Sequence, residues 1–122
     1  MNDQAYFFDT YAFFEIIRGN PAYRKYAEIN AITTIIFNLA ELNYNLKKEK
    51  GKQVADKYVD KYKAFLVEVT LEDVKKAMDL KIGMKDLSIP DVVGYTVAKR
   101  HGIKFLTGDE GFRNMPNVEF VK

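Results

Sequence analysis

The sequence lacks cysteine entirely and contains a single histidine, His101. The lack of cysteine excludes disulfide bonds, thiolate catalysis, zinc fingers and iron–sulfur clusters. One histidine in the chain cannot form a His-rich metal site, and no cysteine stands beside it as an alternative ligand. Any catalysis by this chain must therefore rest on carboxylates, hydroxyls or lysines.

Long apolar runs are also lacking, and Asn2-Asp3 stands where a signal peptide needs positive charge. We therefore expect a cytoplasmic protein without a membrane span. The 19 basic and 17 acidic residues leave a net charge of only +2, so any basic surface must be local. Without a linker, repeat or low-complexity segment, residues 1–122 predict one domain.

Short apolar runs alternate with helical patterns along the chain. The predicted strands cover 5–8, 31–34, 65–69, 103–106 and 118–121. The predicted helices cover 11–18, 21–29, 36–50, 52–64, 70–81 and 88–101. Strands that alternate with helices through short connections indicate an α/β fold with a mainly parallel sheet.

Acidic residues stand at or near the ends of these predicted strands. Asp9 follows the first strand, and Asp109 follows the fourth. Asp91 lies in the first turn of the helix that precedes the fourth strand, and Glu41 lies in the helix that follows the second strand. Ligand crevices of open parallel sheets lie at the carboxyl ends of the strands. On the helix at 36–50, Glu41 lies beside Asn38 on a small polar stripe.

Each of these acidic residues also has a purely structural interpretation. Asp9 can be a helix N-cap, and Ser88 with Asp91 has the spacing of a capping box. Asp109 can be a turn residue, and Glu41 can be a solvated helix position. The structural interpretations weaken together, because the predicted fold places all four residues near one edge of the sheet.

Four segments in this order carry a family resemblance: FFDTYAF, NLAELNY, SIPDVVGYTVAKRHG and FLTGDEGF. Together they resemble the PIN-domain ribonucleases, particularly the small VapC-like toxins of toxin–antitoxin modules, over nearly the whole chain. The resemblance implies a PIN-like three-layer α/β/α sandwich with strand order 3-2-1-4-5. It also implies a Mg²⁺- or Mn²⁺-dependent endoribonuclease whose catalytic and metal-binding residues are Asp9, Glu41, Asp91 and Asp109.

Elementary electrostatics agrees with that implication. Two carboxylates about 4 Å apart repel each other by about 4 kcal/mol at an effective dielectric constant near 20, so a converging cluster favours a cation or a proton. Oxygen donors without cysteine favour Mg²⁺ or Mn²⁺ over Zn²⁺. Thr10 and Thr107 can orient a carboxylate, and Glu110 is a possible auxiliary ligand. The candidate RNA contacts are Arg18, Lys99, Arg100 and Arg113.

The resemblance further implies an RNA substrate, a small antitoxin protein as partner and a homodimer. Tyr11, Phe13, Phe14, Tyr23 and Tyr26 make the N-terminal helices unusually aromatic, and we expect some of these rings to be exposed for a partner.

Three other functions remain to be weighed. One is a PIN-fold RNA-processing nuclease outside a toxin module, and another is a non-catalytic module that binds RNA or protein. The presence of all four acidic positions disfavours the second. A signalling receiver domain needs an aspartate at the end of its third strand, whereas Val69 is followed by Thr70-Leu71.

Overall fold

The computed structural model describes residues 4–28 and 31–122. Its centre is a parallel sheet of four strands in the order β2-β1-β3-β4. The strands are β1 (Tyr6–Phe8), β2 (Ile32–Thr33), β3 (Lys104–Thr107) and β4 (Val118–Phe120). In the central pair, Phe8 of β1 lies beside Leu106 of β3, so the two strands end at the same edge of the sheet.

Helices connect the strands, as parallel pairing requires. They are α1 (Thr10–Arg18), α2 (Arg24–Ala27), α3 (Ile36–Lys50), α4 (Lys52–Tyr62), α5 (Leu71–Gly83) and α6 (Ile89–Arg100). Thr70 and Ser88 open α5 and α6 with complete capping boxes, as the sequence predicts. Gly19 ends α1 in the left-handed conformation, with φ of 77°.

The core lies on both faces of the sheet, because successive strand side chains point in opposite directions. Tyr6 and Phe8 pack into one cluster of buried residues with α1, α3 and α4. Phe7 and Phe105 pack into a second cluster with α5 and α6. The predicted three-layer α/β/α sandwich with a parallel sheet is confirmed.

The segment predicted as a third strand, residues 65–69, forms only an isolated bridge, between Leu66 and Thr34. The N–H of Thr34 donates to the carbonyl oxygen of Phe65, and the carbonyl oxygen of Thr34 accepts from the N–H of Val67; no other described residue continues the ladder. A 3₁₀ turn at Lys63–Phe65 occupies the start of the segment. The bridge lies on the outer side of β2, where the predicted order 3-2-1-4-5 places the strand at 65–69. Because this segment makes only one bridge, the sheet of the described residues has four strands instead of the predicted five.

The predicted helix at 21–29 is a 3₁₀ turn at Pro21–Tyr23 followed by α2, and its predicted last residue, Ile29, lies outside the described residues. The expectation that some of the five aromatic rings of the N-terminal helices are exposed is wrong. Four rings are buried and Tyr11 is partly buried; the buried ones are Phe13, Phe14, Tyr23 and Tyr26. They fill the core between the short helices and the sheet.

Across the described residues, no helix combines the length and apolar character that crossing a bilayer requires.

Candidate functional site

A cleft of about 280 Å³ opens at the carboxyl edge of the sheet. Its lining residues are Asp9, Thr10, Tyr11, Phe14, Glu15, Arg18, Glu41, Asp86, Ser88, Asp91 and Asp109. Asp9 follows β1 and Asp109 follows β3, the two strands that end side by side. The structure therefore brings all four predicted acidic residues to one cleft.

Asp9 is the most deeply buried of these carboxylates, with 1% of its surface exposed. It is the N-cap of α1, where its Oδ1 accepts from the backbone N–H of Ala12 at 2.8 Å. Burial raises the pKa of Asp9 well above its usual range, and hydrogen bonds from Thr107 and Ala12 only partly oppose that effect. The nearby charges of Asp91 and Asp109 raise this pKa further.

Asp91 closes the capping box of α6. The backbone N–H of Ser88 donates to Asp91 Oδ2 at 2.9 Å, and the N–H of Asp91 donates to Ser88 Oγ at 3.2 Å. Burial raises the pKa of Asp91, hydrogen bonds from Ser88 lower it, and the charges of Asp109 and Glu41 raise it. Asp91 is thus both a capping residue and a member of the acidic cleft, so the two interpretations of its motif are compatible.

Asp109 is held by its own short turn. Its N–H donates to Thr107 Oγ1 at 3.0 Å, and its Oδ1 accepts from the N–H of Gly111 at 3.0 Å. Gly108 allows this turn, because a Cβ atom there would collide with the ring of Tyr11 and the carbonyl oxygen of Val121. Thr107 is fully buried at the end of β3 and interacts with both Asp9 and Asp109.

The donor set fits a hard divalent cation. Asp9, Asp91 and Asp109 each use one carboxylate oxygen for a backbone cap. Asp9 also interacts with the hydroxyl of Thr107. A carboxylate oxygen has two lone pairs, so these contacts do not exhaust the acceptor capacity of the three groups. Within the described residues, no three acidic or histidine side chains are already grouped to hold one metal ion. Because neighbouring acidic charges raise the pKa values of Asp9 and Asp91, a cation entering the cleft would draw together groups that otherwise repel.

Sequence reasoning missed two carboxylates of the cleft, Glu15 and Asp86. Glu15 lies on α1 and binds Arg18 Nη1 at 3.1 Å, while Arg18 also reaches Glu49 at 3.5 Å. Glu15 stands one helical turn after Tyr11, another lining residue, but its spacing from Asp9 is not that of one helix face, so the acidic pattern did not indicate it. Asp86 stands in the loop before α6, where no sequence pattern distinguishes it.

Of the candidate RNA contacts, Arg18 lines the cleft, whereas Lys99 and Arg100 do not. These two residues end α6, eight and nine residues after Asp91, which is about 12–14 Å along a helix. Arg100 makes two hydrogen bonds of 2.9 Å to the buried carboxylate of Asp73. Burial alone would raise the pKa of Asp73, but these bonds hold it below its usual value.

Arg113 and Glu110 also lie outside the cleft lining. Arg113 Nε donates to Glu110 Oε1 at 2.7 Å, and Lys122 Nζ lies 3.0 Å from Glu110 Oε2. Hydrogen bonds from these two cations lower the pKa of Glu110 to about 2. The structure thus engages Glu110 with cations rather than with the other carboxylates.

The raised pKa of Asp9 predicts a specific pH dependence of stability. Asp9 keeps its proton in the folded chain at pH values where the unfolded chain has released it, so it stabilises the fold at low pH and loses that contribution as pH rises toward its folded pKa. One such group changes the free energy of unfolding by at most about 1.4 kcal/mol per pH unit. In EDTA, we expect Asp9→Asn to gain stability relative to wild type as pH rises above about 4.

Urea unfolding across that pH range measures the effect, and Asp73→Asn is the matched control. Its lowered folded pKa predicts the opposite sign, a variant that loses stability relative to wild type as pH rises through the acid range. Parallel curves for Asp9→Asn and wild type would contradict the raised pKa.

Two substitutions at Asp91 separate its cap from its charge. Asparagine can still accept from the Ser88 N–H, and it removes a charge whose burial is unfavourable. In EDTA at pH 7, we expect Asp91→Asn to be at least as stable as wild type. Alanine cannot accept that bond, so Asp91→Ala should be about 1 kcal/mol less stable than Asp91→Asn. Equal destabilisation by both variants in urea unfolding would refute this separation.

Solved structures with the same fold are numerous and distant in sequence. One of them is Mycobacterium tuberculosis VapC20, a toxin that cleaves the sarcin–ricin loop. It matches with 18% identity and a TM-score of 0.75, and the match covers 94% of this chain and 99% of VapC20. A toxin–antitoxin complex from Klebsiella pneumoniae matches with 17% identity and a TM-score of 0.73, covering 94% and 96%. DNA-bound VapBC from Salmonella typhimurium matches with 14% identity and a TM-score of 0.74, covering 97% of each chain.

A comparison with curated proteins gives no match. The family model for the PIN domain matches residues 6–118, which include β1, β3 and every acidic residue of the cleft. The chain therefore belongs to the PIN-domain family.

Proposed function

We propose that this protein is a Mg²⁺- or Mn²⁺-dependent endoribonuclease that acts as the toxin of a toxin–antitoxin pair. The observation that carries the proposal is the convergence of Asp9, Glu41, Asp91 and Asp109 on one cleft at the carboxyl edge of the sheet. Membership of the PIN family, with VapC toxins as structural neighbours, supports a nuclease of this class. A single cytoplasmic domain spanning residues 1–122 belongs to the same proposal.

Asp9, Glu41, Asp91 and Asp109 would hold the cation. When bound, a divalent cation lowers the pKa of an attacking water and stabilises negative charge on the phosphate. The backbone caps fix three of these carboxylates before substrate arrives, so little reorganisation is needed. Attack by water at phosphorus breaks the bond to O3′ and leaves a 5′-phosphate and a 3′-hydroxyl.

Arg18 is the one cationic residue among the described residues that line the cleft. Its guanidinium lies 4.9 Å from the centre of the Phe14 ring and pairs with Glu15 and Glu49. These contacts hold the charge at the rim of the cleft. We propose that Arg18 contacts a phosphate next to the scissile bond, where an arginine can donate two hydrogen bonds.

The RNA cleavage assay uses structured and single-stranded RNAs with MgCl₂, MnCl₂ or EDTA. We expect internal cuts with 5′-phosphate ends that disappear in EDTA. Asp91→Asn should lower the rate by more than about 100-fold, because the charge is lost while the cap is kept. Asp79→Asn, an exposed carboxylate on α5, is the matched control and should cleave like wild type.

Cleavage that survives EDTA, or that Asp91→Asn retains in full, would exclude the proposed chemistry. A protein that binds RNA but cleaves none of these substrates with either metal would instead favour the non-catalytic module. Cleavage confined to precursor RNAs would favour a processing nuclease outside a toxin module.

We also propose a homodimer and a small antitoxin partner. Large apolar side chains lie exposed near helix ends: Ile36 and Phe37 on α3, Ile82 on α5 and Ile89 on α6, with 37–76% of their surfaces accessible. These residues, rather than the aromatic rings of the N-terminal helices, offer the apolar surface that an interface requires. The toxin–antitoxin complexes among the structural neighbours support a protein partner.

Light scattering after size exclusion tests the dimer. We expect about 28 kDa, twice the 14.1 kDa of one chain. Ile82→Lys should shift the mass toward that of the monomer without loss of the folded state, because a buried lysine at an interface is costly. Tyr44→Lys, at a position in the middle of α3 that is 64% exposed against 76% for Ile82, should remain dimeric. A wild-type monomer at high concentration would refute the dimer.

A further inference from the structure

The side chain of Asn38 is fully buried on α3, three residues before Glu41. Its Oδ1 is the one buried side-chain nitrogen or oxygen without a hydrogen-bond partner among residues 4–28 and 31–122. Buried amide oxygens are almost always paired, because leaving one unpaired costs stability. A residue that carries this cost beside an acidic cleft calls for a functional explanation.

The amide nitrogen of Asn38 connects α3 to the start of α1. Asn38 Nδ2 donates to Thr10 Oγ1 at 3.3 Å, and that hydroxyl donates to the backbone oxygen of Asn38 at 3.4 Å. Thr10 follows Asp9 and lines the cleft. This pair of bonds therefore opposes a rotation or sliding of α3 that would move Glu41 relative to Asp9.

The amide oxygen of Asn38 faces α6 at Gly94. A Cβ atom at Gly94 would lie 3.0 Å from Asn38 Oδ1 and 2.9 Å from Cε1 of Phe7. Gly94 stands one turn after Asp91, so α6 approaches α3 and β1 as closely as a glycine allows. Asn38 thus lies where the elements that carry Asp9, Glu41 and Asp91 meet.

We propose that Asn38 is a positioning residue that sets the spacing of these three carboxylates. This inference rests on the proposed metal-dependent function of the cleft. An apolar side chain of similar volume would fill the space, but it would lack the directional bond to Thr10. The three elements would then pack without a fixed relative position, and the carboxylates would converge less well on one cation.

The test compares Asn38→Leu with Asn43→Leu, the same change on the same helix. Asn43 faces away from the cleft and donates to Asp56 at 3.0 Å. Three quantities are measured for each protein: the melting temperature in EDTA, the affinity for Mn²⁺ by calorimetry with MnCl₂, and kcat and KM for RNA cleavage.

For Asn38→Leu we expect an unchanged or higher melting temperature, since the unpaired buried oxygen is removed. Its Mn²⁺ affinity should fall by about 10- to 100-fold, and kcat should fall more than KM rises. Asn43→Leu should melt at a lower temperature, because it loses its bond to Asp56, and should bind Mn²⁺ like wild type. A purely structural role for Asn38 predicts the reverse, a lower melting temperature with unchanged Mn²⁺ affinity, and would overturn the proposal.

If Asn38→Leu does not fold, Asn38→Ala and Thr10→Val form a double-mutant cycle on Mn²⁺ affinity. Non-additive effects support the positioning role, and strictly additive effects overturn it. The measurements on the wild-type protein distinguish a failure of the proposed function from a failure of the role proposed for Asn38. Failure of wild type to bind Mn²⁺ and to cleave RNA removes the proposed function and this inference with it, whereas equal behaviour of wild type and Asn38→Leu removes this inference alone.

Discussion

The burial of acidic side chains close to one another at the carboxyl edge of the sheet is the constraint on which the candidate site depends. Asp9 and Asp91 both have raised pKa values, each chiefly through burial and then through neighbouring acidic charges. Such groups are unfavourable in a folded chain unless other contacts hold them. The parallel pairing of β1 with β3 and the packing of α3 against α6 bring them together nonetheless.

Helix and turn caps are the contacts that hold these groups. Ala12, Ser88 and Gly111 each donate a backbone N–H to one oxygen of a cleft aspartate. A helix N-terminus carries unpaired N–H groups and a partial positive charge, so it stabilises a carboxylate that burial otherwise disfavours. The same cap fixes the orientation of the carboxylate. The structural and the functional interpretations of these motifs are therefore two consequences of one contact.

The sequence predicts most of the fold because its signals are local. The strand before Asp9, the capping box of Ser88 and Asp91, and the turn through Gly108 each depend on residues a few positions apart. Their convergence at one cleft follows from the rule for parallel sheets. That convergence could be predicted, whereas the catalytic roles of the residues remain a prediction.

What the sequence could not predict depends on contacts between distant segments. The strand at 65–69 has strong β-propensity but makes one bridge to Thr34, since a 3₁₀ turn precedes it and pairing ends there. The positions of Lys99 and Arg100 relative to the cleft depend on the length of α6 and on the ion pair with Asp73. Composition also could not show which aromatic rings the short helices bury, because that depends on how the helices dock on the sheet.

The charge distribution links the proposed cation and RNA. The cleft is lined by six acidic residues, which are Asp9, Glu15, Glu41, Asp86, Asp91 and Asp109. The one cation on its described lining, Arg18, is already paired with Glu15 and Glu49. A phosphate approaching this cleft is repelled by the carboxylates unless a divalent cation screens them. Cation and RNA must therefore strengthen each other's binding by equal factors, since coupling between two binding sites is reciprocal. In the proposed function, hydrolysis is therefore confined to the state in which the cation and the RNA are both bound.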